Sequence, residues 1–359
     1  DIDDVMDWLE TTFYFARAKS APDTYDAGSD LRERVSNTLS ELVGSGFVER
    51  DGLRVESTRL GQLASKFYLR LDTARRFADL AERCESAASD GADAAPIDAE
   101  DLLTAVAGAT EFDSVSARSD EEDAVAAVLG SPPEELDAGQ RKVLAILRSG
   151  MTGTTPTELK SDAWVIRQNA LRLLAALREF LDNLAPARFA NLACRVEARV
   201  EHGISEDAVG LTAIEGVGAG RARKLATEGL SSPADVARAG VAGVAAAGLS
   251  EGVAEQVVAN ARDLPVVVVD WGEFPETIAA GDHDMREVTV ANNGGGARAG
   301  LRVTVNGREM TAKPSYLGQT TLPVAVFGAD TDDLEFTVEV TFPNRPLDPV
   351  TASRTVSVR

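Results

Sequence analysis

The feature that most constrains the fold is a change of sequence pattern at Pro265. Before this residue, apolar side chains recur at the spacing of amphipathic helices. After it, β-branched runs alternate with Gly, Asn, Pro and Asp, in the order VVVVDW, REVTV, LRVTVNG, TLPVAVF, LEFTVEVTF and RTVSV. Short strands with turn signals between them indicate an all-β sandwich of immunoglobulin-like type. The sequence therefore predicts a multidomain, mainly α chain that ends in a β-sandwich.

A chain of 359 residues is too long to fold around one ordinary hydrophobic core, so several domains are expected. It opens with one apolar-rich helix that contains Trp8 and Phe13, and GFVERDGLRVEST later predicts a hairpin with its turn at Asp51–Gly52. The segment ASDGADAAP has the composition of a linker. We predict four domains: a winged helix at 1–77, a helical bundle at 78–205, a helix-hairpin-helix domain at 206–264 and an immunoglobulin- or fibronectin-like sandwich at 265–359.

Several kinds of chemistry are not expected in this chain. It has no GxxxxGKS or GxxxxGKT phosphate loop and no DEAD-like box, so it is not expected to hydrolyse nucleotides by itself. Cys84, Cys194, His202 and His283 are not at metal-ligand spacings, which argues against a zinc site and a disulfide framework, and two histidines offer little for a histidine base. We therefore predict no catalytic residue, metal or cofactor. No apolar run approaches the ~20 residues of a membrane span and no signal peptide opens the chain, which favours a cytoplasmic protein.

The charge is large, negative and unevenly distributed. A net charge of -22 argues against a nucleic-acid partner, but scarce lysine with abundant arginine and aspartate is typical of halophilic archaea, where acidity serves solubility. Residues 79–138 carry seventeen acids and two bases, whereas residues 139–200 carry ten bases and five acids. The basic block indicates an anionic partner. The run SDEED at 119–123 is predicted to be a solvated helix start.

The segment IEGVGAGRARK predicts a phosphate-binding hairpin. Glycines without a Cβ let the backbone approach a phosphate, and the next helix presents free N–H groups and the positive end of its dipole. The residues predicted to contact nucleic acid here are Gly216, Val217, Gly218, Arg221, Arg223 and Lys224. The alternative is a hairpin that only joins two packed helices. A second, weaker unit with Gly248 and Gly252 lacks a neighbouring cation and is predicted to be structural.

The segment SDAWVIRQNALRLLAALREFLDNL predicts one long helix with two faces. Its apolar stripe, expected to face the bundle, consists of Ile166, Ala170, Leu173, Leu177 and Leu181. Trp164, Gln168 and Arg172 are spaced four apart on another face, where an aromatic ring and a guanidinium can stack bases and bind phosphates. Arg167 and Arg178 add positive charge on a neighbouring face. The alternative is that Trp164 is a core residue and that the arginines are solvated.

These segments resemble, in the same order, the C-terminal region of Ski-two-like superfamily 2 helicases. The stretch TRLGQLASKFYLRLDTA resembles the family's T-x-LG-x-x-x-S-x-x-Y pattern at the end of its winged helix. EFDSVSARSDEE is similar to the EF-x-x-(I/V)-x-x-R-x-x-E segment of the Sec-sixty-three homology unit. WVIRQNALRLLAALREF resembles the QNA-x-RLL-x-AL ratchet helix of that unit, and the hairpin and β-sandwich modules follow.

The resemblance implies that the long helix grips the single strand leaving a helicase motor, with Arg172 as the arginine of the RLL motif. ATP and Mg²⁺ would belong to RecA-like motor domains elsewhere in the parent protein. The implied partners are single-stranded DNA or RNA, those motor domains, and a protein that contacts the β-sandwich. The choice between DNA and RNA stays open, because base stacking and phosphate contacts can bind either nucleic acid. The competing hypothesis is a non-catalytic scaffold whose modules bind proteins.

Overall fold

The first 75 residues combine short helices with a two-stranded hairpin. The computed structural model describes residues 1–21, 31–52, 54–89, 96–131, 133–328 and 333–359, which form two compact units, Asp1–Arg75 and Arg76–Arg359. The elements of the first unit are α1 (Ile2–Glu10), α2 (Phe13–Ser20), α3 (Leu31–Gly44), β1 (Val48–Asp51), β2 (Arg54–Ser57) and α4 (Arg59–Lys66). Their order agrees with a winged helix, which stays a prediction.

Two local predictions are wrong in this unit. The aromatic-rich N-terminal segment forms two helices rather than one, because the Thr12 hydroxyl accepts a hydrogen bond from the backbone N–H of Phe15 (3.3 Å) and caps a second helix. Asp51 pairs with Arg54, so Asp51 belongs to a strand and not to the turn. Gly52 has φ +59°, the left-handed conformation common in tight hairpin turns, and Leu53 lies outside the described residues.

The second unit contains a helical bundle. Its helices are α5 (Leu71–Ser89, which begins just before the boundary), α6 (Ala99–Ala107), α7 (Glu122–Leu129), α8 (Ala138–Gly150), α9 (Lys160–Leu184) and α10 (Ala187–His202). Capping boxes at Asp98 and Asp137 begin α6 and α8, since each side chain accepts a backbone N–H bond from the first turn. Of the predicted linker, residues 90–95 lie outside the described residues.

The long helix α9 is buried along the face that the sequence predicts. Ile166 is 4% exposed, and the other four members of the apolar stripe are fully buried. Phe180, also on α9, packs edge to face on Phe77 of α5, with ring centroids 5.7 Å apart. Pro186 caps the start of α10, and α9 and α10 pack against each other. The opposite face of α9 is therefore left for other contacts.

Three shorter helices follow the bundle: α11 (Ala219–Thr227), α12 (Pro233–Ala246) and α13 (Glu251–Arg262). A 3-10 helix, Glu206–Ala213, connects α10 to α11, and buried Val209 and Leu211 belong to the core of this region. Gly240 has φ +63° and interrupts α12, so α12 is kinked there. The pairing of α12 with α13 is the helix pair expected for the second unit, whose structural role stays a prediction.

The C-terminal region forms two β-sheets, as the change of pattern at Pro265 predicts. Its strands are β3 (Val267–Asp270), β4 (Thr277–Ile278), β5 (His283–Asn292), β6 (Arg298–Val305), β7 (Arg308–Tyr316), β8 (Gln319–Phe327), β9 (Asp333–Thr341) and β10 (Val350–Val358). One sheet has the order β4-β10-β9-β6-β7 and the other β3-β5-β8, and all described pairs except β4–β10 are antiparallel. Residues of both sheets share one buried cluster. The immunoglobulin type stays a prediction.

Polar contacts join the bundle to the β region. The buried side-chain amide of Asn191, on α10, lies 2.9 Å from the carbonyl of Phe342 and 3.2 Å from those of Arg345 and Leu347. Arg195, also on α10 and 6% exposed, forms an ion pair with Asp348. These contacts make the loop between β9 and β10 part of the surface on which α10 packs.

Candidate nucleic-acid interface

The exposed face of α9 carries the predicted stacking residues. The side chain of Trp164 is 67% exposed, so Trp164 is not a core residue. Gln168 and Arg172 are exposed as well and follow at the four-residue spacing that places side chains on one helical face. An exposed indole one turn from an amide and two turns from a guanidinium can stack on a base and contact phosphates. The structure thus brings these three residues together.

The two further arginines predicted for α9 have different surroundings. Arg167 is half-buried, and its Nε has no hydrogen-bond partner among the described residues. Arg178 is also half-buried and lies 3.0 Å from Glu197 of α10. Burial, the largest single influence, lowers the pKa of Arg178, but Glu197, Cys194 and Glu179 together outweigh burial and raise it. The Arg178 guanidinium is thus paired with a carboxylate of the neighbouring helix and does not belong to the exposed face that carries Trp164.

The predicted hairpin has the geometry that its glycines require. Gly216 has φ +84°, a conformation that favours glycine, and the side chain of Val217 is buried in the core. Gly218 is the N-cap of α11, which has no side-chain capping bond. A Cβ placed on Gly218 or Gly220 would meet no atom within 4 Å. The start of α11 is therefore open to a phosphate that approaches its backbone N–H groups.

The three cations of α11 all donate to backbone carbonyls. Arg221 donates to the carbonyl of Gly216 within the hairpin. Arg223 donates to Gly203, the residue that ends α10, at 2.6 Å, and Lys224 to Gly248 at 3.3 Å. Bonds to carbonyls at helix ends are favourable for cations, so these side chains also stabilise the packing of the region. Their charges nevertheless stay exposed, close to the hairpin.

A buried charge network beside the start of α9 was not predicted. The ammonium of Lys142, 1% exposed, lies 2.8 Å from Glu121 and 2.5 Å from Asp162, and Arg118 donates to Glu121 at 2.6 Å. We call Arg118, Glu121, Lys142 and Asp162 the Lys142 network. Glu121 is fully buried, so the prediction that SDEED is a solvated helix start is wrong for this residue. The three-residue spacing of Arg118 and Glu121 was the available signal.

The network changes the acidity of its carboxyl groups. Burial favours a raised pKa for Glu121, but hydrogen bonds from the backbone of Arg118 and from the side chains of Lys142 and Arg118 lower it to about 2. The hydrogen bond from Lys142 lowers the pKa of Asp162 as well. Both carboxylates are therefore charged at neutral pH, and two cations balance two anions.

Internal pairing consumes much of the basic block at 139–200. At least five of its ten cations form ion pairs with carboxylates: Lys142, Arg148, Arg178, Arg195 and Arg199. A count of charges along the sequence therefore overestimates how much positive charge the bundle exposes to solvent. The exposed face of α9 depends on a few residues rather than on the block as a whole.

The remaining reactive groups show no further site. Burial raises the pKa of Cys84 to about 12 and that of Cys194 to about 11, which makes both thiols poor nucleophiles at neutral pH. In the part of the chain that the structure describes, no group of three or more His, Cys, Asp or Glu side chains is arranged to bind a metal ion. No described helix is both long and apolar enough to cross a membrane.

Comparison with known proteins relates this chain to helicases. The family model "Sec63 Brl domain" matches residues 57–349. An ATP-dependent DNA helicase Hel308 from Pyrobaculum calidifontis is 28% identical over 276 residues, covering 73% of this chain and 37% of the relative. The DExH-box ATP-dependent RNA helicase DExH13 of Arabidopsis thaliana is 27% identical over 217 residues, covering 56% of this chain and 9% of the relative. The chain thus spans well under half the length of these relatives.

Proposed function

Since this chain belongs to the Sec63 Brl domain family, we propose that it is the C-terminal accessory part of a Ski-two-like superfamily 2 helicase and grips single-stranded nucleic acid beside the motor. The observation that carries the proposal is the exposed row of Trp164, Gln168 and Arg172 on α9. A large indole exposed to solvent has little value for the bundle core. The same indole beside a guanidinium supplies a stacking surface that accepts any base.

The hairpin at the start of α11 supplies a second contact in this proposal. Its uncapped N-terminus and the open space at Gly218 suit a backbone phosphate, and Arg221 adds charge next to it. Neither contact reads base edges. Binding is therefore expected to tolerate any sequence and to use single-stranded DNA or RNA.

The parent protein would supply the chemistry that the described residues lack. RecA-like domains of the same protein would bind ATP and Mg²⁺ and pull the strand, while this part resists backsliding. The winged helix would act as a structural spacer. The immunoglobulin-like region would brace α10 through Asn191 and Arg195.

A protein-binding scaffold is the second candidate. It is favoured by large apolar side chains exposed on the β region: Met285 is 62% exposed and Phe327 is 57% exposed. Both lie on the paired strands β5 and β8. Internal pairing of half the basic block also leaves less charge for a polyanion than the sequence suggests.

Single-strand binding by variants of the α9 face tests the proposal. Fluorescence anisotropy with a labelled oligonucleotide is expected to show that Trp164→Ala weakens binding by about 1–3 kcal/mol, the contribution of one base stack. Arg172→Ala is expected to weaken it by a similar amount through a lost phosphate contact. Tyr316→Ala and Arg286→Ala are matched controls, since they remove an exposed aromatic and an arginine from the β region. If both α9 variants bind like the unmodified protein, the scaffold is the better function.

A further inference from the structure

Trp164 lies in a stretch of α9 that has no buried side chain of its own. Residues 160–165 are all exposed or half-buried, and Ile166 is the first residue of α9 with a buried side chain. Leu159, just before α9, is fully buried. Between these two buried apolar side chains the helix is also held by polar contacts, and Trp164 is inside this interval.

Three polar contacts link this interval to the bundle, and the longest joins the Arg118 guanidinium to the Asp162 carboxylate at 3.7 Å. Lys142 of α8 donates to Asp162 at 2.5 Å, and Arg118 of the loop before α7 donates to the hydroxyl of Ser161 at 3.0 Å. Asp162 is two residues from Trp164 along the helix. A displacement of Asp162 therefore moves the indole with it.

The other side of the network is fixed by burial. Besides Asp162, the Lys142 ammonium contacts Glu121 at 2.8 Å and the carbonyl of Ser116 at 3.3 Å, which accounts for its three protons. Glu121 in turn accepts from the backbone and the guanidinium of Arg118. Every charged group of the Lys142 network thus has a partner, and a buried ammonium with three acceptors has little freedom to move.

We propose that the Lys142 network positions Trp164 for base stacking by holding the first turn of α9 through Asp162. Asp162, Lys142, Glu121 and Arg118 are positioning residues, since none of them lies on the stacking face. The inference rests on the proposed function, because it assigns a binding role to Trp164. Without the network, the first turn of α9 would still be helical, but the indole would sample several orientations and would stack less well.

The charge balance makes Asp162→Asn a mild perturbation. Without this carboxylate, Lys142 still faces the buried Glu121, so no buried charge is left unpaired. Arg118→Gln reaches the same site from outside α9 by removing the bond to Ser161 and the ion pairs with Asp162 and Glu121. Its effect therefore cannot come from the helix propensity of α9. Asp182→Asn is the matched control, because Asp182 is an acid at the other end of α9 that pairs with Arg298.

The test measures the mobility of Trp164 and single-strand binding in the same proteins. The background is the full chain with Trp8→Phe and Trp271→Phe, which leaves Trp164 as its only tryptophan. Time-resolved fluorescence anisotropy is expected to show a larger fast component in Asp162→Asn and Arg118→Gln than in the background or Asp182→Asn. The affinity of Asp162→Asn for a labelled single strand is expected to fall about three- to tenfold, a part of one base stack.

The two measurements separate the two ideas. If Trp164 is as rigid in Asp162→Asn as in the background, the network does not position the indole, and the inference is overturned whatever the affinity. If Trp164 becomes mobile and the affinity falls, the inference is supported. If Trp164 becomes mobile but neither Asp162→Asn nor Trp164→Ala changes binding, the indole is not used for stacking. That outcome rejects both the proposed function and the binding role of the network.

Discussion

At the scale of single residues, Glu121 and Asp162 share one buried ammonium, and their protonation is coupled to folding. The pKa of Glu121 is about 2 in the folded protein, below its ordinary value of 4.5, and that of Asp162 is lowered in the same direction. A carboxyl group whose pKa is lowered by folding makes its full contribution to the stability of the folded protein at pH values above its unfolded-state pKa. It is lost as the pH falls toward the folded-state pKa.

This linkage predicts a pH-dependent effect of Glu121→Gln. At pH 7 the variant should be less stable by about 3 kcal/mol, because it breaks a buried ion pair. The difference from the unmodified protein should stay constant above about pH 5 and shrink between about pH 4.5 and 3. Urea denaturation at a series of pH values measures it, with the exposed Glu158→Gln as a control for the amide substitution. A difference that persists unchanged to pH 3 would contradict the charge pairing.

The exposure of side chains was predictable where hydrophobic periodicity decides it, while the binding roles stay predictions. The four-residue spacing of Trp164, Gln168 and Arg172 on a helix whose other face is apolar predicted their exposure. The roles of Lys142 and Arg178 were not predictable, because their carboxylate partners come from other segments: Glu121 and Glu197. A count of charges along the sequence cannot separate a solvated cation from a buried one. Pairing across helices decides between the two.

At the scale of elements, the hairpin before α11 allows a test of phosphate binding. Gly218→Val adds a side chain where no atom lies within 4 Å, and Gly218 has φ -92°, which valine tolerates. We therefore expect the variant to fold and to keep its melting temperature within a few degrees. Single-strand affinity should fall by about 1.5 kcal/mol or more, the value of one hydrogen bond to a charged group.

The second hairpin unit supplies the control for this experiment. A Cβ at Gly252 also meets no atom within 4 Å, but no cation of the kind found in α11 follows it. Gly252→Val should therefore leave affinity unchanged in the same anisotropy titration. Equal losses in both variants, or no loss in Gly218→Val, would show that the first hairpin only joins packed helices.

The elements themselves were predicted unevenly, for local reasons. The bounds of α6 follow from its apolar spacing and from the capping residue Asp98, both of which are visible in the sequence. The break between α1 and α2 depends on the side-chain bond of Thr12, and the turn depends on the pairing of Asp51 with Arg54. Such one-residue choices depend on hydrogen bonds that hydrophobic periodicity does not report.

At the scale of the whole molecule, the net charge of -22 predicts a dependence of stability on salt. Repulsion among the acids of 79–138 acts over a Debye length of about 30 Å at 10 mM salt and about 3 Å at 1 M. The melting temperature should therefore rise by several degrees from millimolar to molar KCl, as measured by circular dichroism. The same melts in sucrose solutions of equal osmolality control for the stabilisation that comes from excluding a solute from the protein surface. Equal melting temperatures at both salt concentrations would reject the adaptation to high salt.

The amide of Asn191, buried on α10 and satisfied by carbonyls of the loop after β9, also has a consequence for evolution. The sequence pattern places a domain boundary at Pro265. From the pattern alone, genetic recombination at that point would be expected to exchange the β region without destabilising the helical part. A foreign C-terminal region would, however, remove the acceptors of the buried Asn191 amide, at a cost of about 1–3 kcal/mol for an unsatisfied buried group. Arg195 would lose Asp348 and keep only Glu206 among its described carboxylate partners. The β region is therefore not freely exchangeable. It and α10 are expected to be inherited together, as one unit of descent.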